Sequence, residues 1–192
     1  MHKVVAINSS PRKNGNTAAM IDTIFSVLDE RPDITCETVH IGGRSFHGCR
    51  GCYLCKKNQD QKCIITDDYV NDCIAKMVDA DVIILGSPTY YSTLTSEMKA
   101  LIDRAGTVTR GNGNLLEHKI GVALSPVRRA GGMNTIQTMN NLFLLSNMII
   151  PGSTSWNMAL ARNVGDLASD EEGIATMKNL GEQILWLLDR IA

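Results

Sequence analysis

The chain has 192 residues, 44% of them hydrophobic, with 19 Lys and Arg against 20 Asp and Glu for a net charge of −1. That length allows one sizeable core, and the charge balance lacks the basic excess expected of a surface for nucleic acid or anionic membrane. The longest apolar stretch, Leu142 to Ile150, is broken by Ser146 and Asn147 and falls far below spanning length, and Met1 to Ser10 lacks the apolar core of a secretion signal, so the expected location is cytoplasmic.

Short apolar runs alternate with longer helical patterns, as βα repetition around a parallel sheet requires. Lys3 to Asn8 reads as a buried first strand. Asn16 to Glu30 follows as a helix, with Met20, Ile21, Ile24, Val27 and Leu28 at helical spacing. Ile34 to Ile41 is the second strand, and Tyr69 to Asp79 the next helix. Between them, Gly42 to Asp68 is longer than a usual connection, and such loops are often functional. Ala80 to Gly86 is the third strand, Ser96 to Ala105 a helix, His118 to Leu124 the fourth strand and Gly132 to Leu145 a helix. Met148 to Ser153 is expected as the fifth strand, and Asp170 to Ile191 as a long amphipathic helix. One three-layer α/β domain over residues 1–192 accommodates all of these, with a cysteine-bearing insertion at about 42–68.

The first strand runs into Asn8-Ser9-Ser10-Pro11-Arg12-Lys13-Asn14-Gly15-Asn16-Thr17, and a helix begins there. Helix-start N–H groups lack intrahelical partners and carry the positive end of the dipole, which suits an anion. Ser9, Ser10 and Thr17 add hydroxyl donors, and Arg12 can grip two oxygens at once. Neither the glycine–lysine pattern of an NTPase loop nor the triple-glycine pattern of a dinucleotide loop is present. A polar helix cap would explain the composition alone, but ligands of open α/β sheets sit at the carboxyl ends of strands, where this loop lies. Ser10 to Thr17 resembles the first motif of the NADPH-dependent FMN reductase family, within the flavodoxin-like superfamily. The resemblance implies that Ser9, Ser10, Pro11, Arg12, Asn16 and Thr17 surround the FMN phosphate.

The third strand runs into Gly86-Ser87-Pro88-Thr89-Tyr90-Tyr91-Ser92-Thr93. A rigid proline, two aromatics and several hydroxyls at a strand's carboxyl end suit a flat heteroaromatic ring. Ser87 to Tyr90, followed by Met98-Lys99-Ala100-Leu101-Ile102-Asp103-Arg104, is similar to the second hallmark of the same family. There the loop cradles the isoalloxazine ring, which assigns that role to Pro88, Thr89, Tyr90, Tyr91 and Ser92. Lys99, Asp103 and Arg104 read as a solvated or salt-bridged helix face. After the fourth strand, Ser125, Gly131 and Gly132 are expected near the flavin by the same resemblance. Arg128 or Arg129 could stabilise negative charge on reduced flavin or contact a nicotinamide nucleotide phosphate, and both are at least as well explained as solvated side chains.

Six cysteines without a secretion signal argue for metal or redox chemistry over a disulfide framework. Cys49, Cys52, Cys55 and Cys63 form C-x2-C-x2-C-x7-C. Three thiolates three residues apart on a tight turn can face one point, with a fourth reaching back, as a [4Fe–4S] cluster requires. Structural zinc sites usually split their ligands into two separated pairs. The compact run resembles that of the iron–sulfur flavoproteins, a branch of the same superfamily with such an insertion after strand two. A cluster, zinc, a redox disulfide and free thiols all remain open. Cys36 and Cys73 fall in strand and helix patterns and read as buried packing residues.

The resemblance implies a flavodoxin-like sheet in order 2-1-3-4-5 and an FMN-dependent oxidoreductase using NAD(P)H or a protein electron donor, with a small molecule or protein as acceptor. The alternatives are an electron carrier combining FMN with a [4Fe–4S] cluster, and a non-catalytic redox-sensing or zinc-binding module. A homodimer or homotetramer is expected by resemblance.

Overall fold

A computed structural model of the chain describes residues 1–191. Five strands, β1 (His2–Asn8), β2 (Ile34–His40), β3 (Val82–Gly86), β4 (Ile120–Val127) and β5 (Met158–Leu160), form one parallel sheet in the order β2-β1-β3-β4-β5. Side chains alternate across it as the two-residue strand period demands. Val5, Ile7, Ile83, Leu85 and Ala123 face α3 (Val70–Asp79), α4 (Ser96–Gly111) and α5 (Gly132–Leu145). Val4, Ala6, Val82, Ile84, Val122 and Leu124 face α1 (Asn16–Leu28) and α6 (Glu171–Ile191). The register aligns Asn8 with His40 on one side and Gly86 on the other, and Gly86 with Leu124. The loops leaving these strands therefore emerge at one level, where strand order reverses between β1 and β3.

The fifth strand is not where the apolar pattern suggested. Within Met148 to Ser153 only Ile149 pairs with the sheet, bridging Ile120. Pro151 has no N–H to donate, and the polar run behind it leaves the ladder. The chain returns as β5, opposite Ser125, Pro126 and Val127, so two short pieces fill one edge. α4 also runs past Ala105 to Gly111, and its extra turn carries groups that hold the cysteine loop. Inside that loop a short helix, α2 (Leu54–Asn58), was not legible in the sequence.

Among the described residues, no helix is long and apolar enough to cross a membrane. Thr95 caps α4, its hydroxyl accepting from the Met98 N–H at 3.4 Å, while its own N–H donates to Ser87 Oγ at 3.0 Å. Thr95→Ala is expected to cost about 0.5–2 kcal/mol, measured as a lower urea midpoint with unchanged slope.

Candidate functional site

Ser10, Arg12, Asn16 and Thr17 from the first loop meet Pro88, Thr89 and Tyr90 from the loop after β3 in one cleft of about 250 Å³, which Pro126, Arg128, Ala161 and Arg162 complete. Gly42 is what allows the neighbouring loop to close on it, since a Cβ there would stand 2.0 Å from the Ser10 carbonyl oxygen. The His40 ring donates to that same carbonyl at 2.7 Å. α1 opens on Gly15 with no side-chain cap and no acidic residue in its first turn. Thr17 Oγ1 is buried there without a hydrogen-bond partner, at a cost of about 1–3 kcal/mol while it stays unpaired. Three arginines and no carboxylate line the cleft among the described residues, so its field favours an anion. Uncapped N–H groups, an orphaned hydroxyl and guanidinium groups are the donors that a phosphate monoester needs.

The structure separates the other residues of this loop by role. Ser9 turns inward and donates its hydroxyl to the Gly86 carbonyl at 3.1 Å. Pro11 is exposed and does not line the cleft. Asn16 borders the cleft, and its amide also ties down the chain after β5. Nδ2 donates to the Asn163 carbonyl at 2.7 Å, and Oδ1 accepts from the Gly165 and Leu167 N–H groups. Asp166 clasps the same turn by accepting from the Arg162 and Asn163 N–H groups, which hold its carboxyl below the usual range. The chain after β5 therefore contributes to the cleft through Ala161 and Arg162, with the turn at 163–167 tied down behind them by Asn16.

On the ring-loop side, Tyr90 and Thr93 exchange backbone hydrogen bonds at 2.8 and 3.0 Å around Tyr91 and Ser92, whose φ values are +48° and +62°. Two consecutive non-glycine residues in the left-handed region are costly, and such strain gathers at functional sites. Asn134 Nδ2 holds the turn by donating to the Ser92 carbonyl at 2.6 Å. Gly131, at φ +89°, lets α5 begin against it, where a Cβ would lie 2.9 Å from Ser92 Cα. Gly132 packs on Met158 instead. Tyr90 lines the cleft, whereas Tyr91 is fully exposed and touches none of it. Ser125 is wholly buried, in a hydroxyl chain with Thr89 at 2.9 Å and on to Thr135 at 3.0 Å. It fixes the loop rather than facing a ligand.

Cys49, Cys52, Cys55 and Cys63 all line a second, small cavity with Arg104, Thr107, Ile65 and Val108 among its walls. Cys49 and Cys52 are exposed, Cys63 is half-buried, and Cys55 packs into the core, where burial pushes its thiol up and Cys63 and Cys52 push the same way. The loop is held in an expensive shape, with positive φ at Gly51, Tyr53, Gln59 and Gln61. Helix α4 supplies the restraints. Gln59 Nε2 donates to the Gly111 carbonyl at 2.6 Å, the Gln61 N–H to Asn112 Oδ1 at 3.0 Å, and Asn112 Nδ2 to the Cys55 carbonyl at 3.2 Å. Asn71 of α3 brackets Cys63, accepting from its N–H at 2.8 Å and donating to its carbonyl at 2.9 Å. Among the described residues, no three His, Cys, Asp or Glu side chains gather as closely as one metal ion demands. Four thiols around a shared cavity are a donor set for a larger, sulfur-ligated group.

Lys99 and Asp103 form the expected ion pair on the exposed face of α4, at 2.6 Å, and Arg104 is salt-bridged too, but on a buried face. It is 1% exposed, pairs with the buried carboxylate of Asp68, and donates to the Ile65 carbonyl at 2.9 Å and the His47 carbonyl at 3.2 Å. Burial alone would raise the Asp68 pKa. Arg104 and the N–H groups of His47 and Val70 outweigh that and hold it below the usual range. Cys73 is a fully buried packing residue as expected, whereas Cys36, on the edge strand β2, is only half-buried; each thiol is pushed up to about 12, chiefly by burial. A larger groove of about 600 Å³ between α4 and α5 contains none of the phosphate-loop residues.

Residues 2–163 match the family model described as NADPH-dependent FMN reductase. An iron–sulfur flavoprotein of Methanocaldococcus jannaschii is 33% identical over 189 residues, covering 95% of each chain. One from Methanosarcina thermophila is 33% identical over 171 residues, covering 85% of this chain and 87% of its own. Among solved structures, a flavodoxin, WrbA-like protein of Agrobacterium tumefaciens superposes with a TM-score of 0.66 at 15% identity, covering 100% of this chain and 99% of the other.

Proposed function

Because the chain belongs to the NADPH-dependent FMN reductase family, we propose that it is an FMN-dependent oxidoreductase that receives electrons from NAD(P)H or a protein donor and delivers them through the flavin. The observation that carries this reading is the unpartnered, buried Thr17 hydroxyl at the uncapped start of α1, in a cleft rimmed by Arg12, Arg128 and Arg162. In this reading Ser10 and Thr17 donate to the phosphate, and the arginines offset its charge. Pro88, Thr89 and Tyr90 hold the ring edge, and the strained turn at Tyr91 and Ser92, closed by the Tyr90–Thr93 backbone pair, fixes the position of Tyr90. Bound FMN would supply the redox chemistry, leaving the chain to provide placement and field. The lack of an acid–base pair in the cleft is therefore no obstacle.

A second reading, supported by the four cysteines on one cavity and by the names of the relatives, adds a [4Fe–4S] cluster held by Cys49, Cys52, Cys55 and Cys63. The chain would then be an electron carrier between cluster and flavin. Purification without oxygen, followed by a visible spectrum, iron and acid-labile sulfide assays, and oxidation tests with NADH and NADPH, separates the readings. Flavin with nicotinamide oxidation and no iron supports the first. Flavin with iron and sulfide supports the second. A colourless protein that refuses added FMN sinks both and leaves a thiol- or zinc-based sensing module.

A further inference from the structure

Arg104 makes one contact that its role as a loop anchor does not require. Its Nε–H donates to Cys63 Sγ at 3.3 Å. The other end of the guanidinium is fixed by the Asp68 carboxylate and the carbonyls of His47 and Ile65, so the planar fork cannot turn away from the sulfur. We infer that Arg104 is a positioning residue for the cysteine site: it orients the Cys63 sulfur and, through its Nε–H, makes the iron–sulfur group bound there easier to reduce. This rests on the second reading of the function.

A buried ion pair used only to pin a loop is poorly economical, since desolvating both charges offsets most of their attraction, and a packed apolar pair often serves as well. An apolar side chain cannot donate to sulfur. A lysine carries the charge but lacks the flat fork that reaches sulfur, carboxylate and carbonyls at once. Reduction adds negative charge to a cluster and its ligand sulfurs, and hydrogen bonds to those sulfurs favour the reduced form. Arg104 is shielded from water, so its charge acts at low dielectric. Asp68 lies on the far side of the same guanidinium and opposes that effect. The two residues should therefore act on the potential with opposite signs, which a purely structural clamp would not do. No bond forms or breaks in this role.

The test uses the full chain purified without oxygen, in three forms: wild type, Asp68→Asn, and the double variant Arg104→Met with Asp68→Asn. The double variant removes the donor without leaving a buried charge unpaired. Iron and sulfide are assayed first, and the cluster midpoint potential is then read by mediated titration followed by electron paramagnetic resonance. The expected result is retained iron in all three, a more negative midpoint in the double variant and a more positive one in Asp68→Asn. Identical midpoints in iron-loaded wild type and double variant would overturn the inference, as would shifts of the same sign in both variants. Loss of iron from both variants would overturn it too, assigning Arg104 to the loop alone. A wild type free of iron removes the cluster reading itself, a failure visible before any variant is compared.

Discussion

On the cluster reading, Cys52→Ser is expected to abolish iron and sulfide binding while leaving FMN uptake intact. The loss should exceed about 100-fold, beyond the 10–100-fold seen when only an outer-shell partner of a ligand is removed. A serine hydroxyl is hard, and it stays protonated near neutrality where a thiol beside a metal does not. The substitution is also clean. Cys52 is exposed, and it sits between Gly51 and Tyr53, whose left-handed backbones set the turn whatever side chain lies between them. None of the restraints on this loop from Asn71, Asn112, Gln59 or Arg104 passes through its side chain. Cys73→Ala is the contrasting control. It removes a fully buried thiol from α3 and should lower stability with iron content unchanged. Metal analysis of both variants beside wild type checks this. Equal iron in Cys52→Ser and wild type would exclude the four-cysteine site.

Much of the fold was legible because buried parallel strands are short apolar runs, and β1, β3 and β4 are of that kind. The edge was not, because Met158 to Leu160 is too short to announce itself and Ile149 pairs for a single residue before Pro151 ends it. The two loops that meet at the cleft were readable from their position at strand ends. What could not be read was which polar groups would be consumed locally. Asn16 lines the cleft as its place in the loop suggests, and it also anchors the turn after β5, a long-range pairing that no local pattern reports. Ser125 looks like a loop hydroxyl and is interior. Arg104 follows Asp103 in what reads as a charged helix face, yet it points into the insertion, because Asp68 and two carbonyls from that insertion are waiting for it. Arg162 gave no signal, since its place on the cleft depends on where β5 ends.

That separation of consumed from free donors decides the second large effect. Thr17→Val is expected to weaken FMN binding about 10- to 100-fold, the consequence of losing one hydrogen bond to a charged group worth about 1.5–3 kcal/mol. Riboflavin affinity should barely change, because the ring loop and its hydroxyl chain to α5 are untouched. Valine has the shape of threonine, and Thr17 Oγ1 makes no hydrogen bond within the described residues, so the apo protein loses no internal contact and gains by shedding a buried orphan. A small rise in thermal stability of the apo variant should therefore accompany the fall in FMN affinity. Asn16→Ala should behave in the opposite way. It frees the turn at Asn163 and Gly165 and destabilises the apo protein before any ligand is added. Fluorescence-quenching titrations with FMN and riboflavin, run beside thermal melts of the apo forms, read both quantities. If Thr17→Val weakens riboflavin as much as FMN, the start of α1 does not bind the phosphate and the orientation of the flavin in the cleft must be reversed.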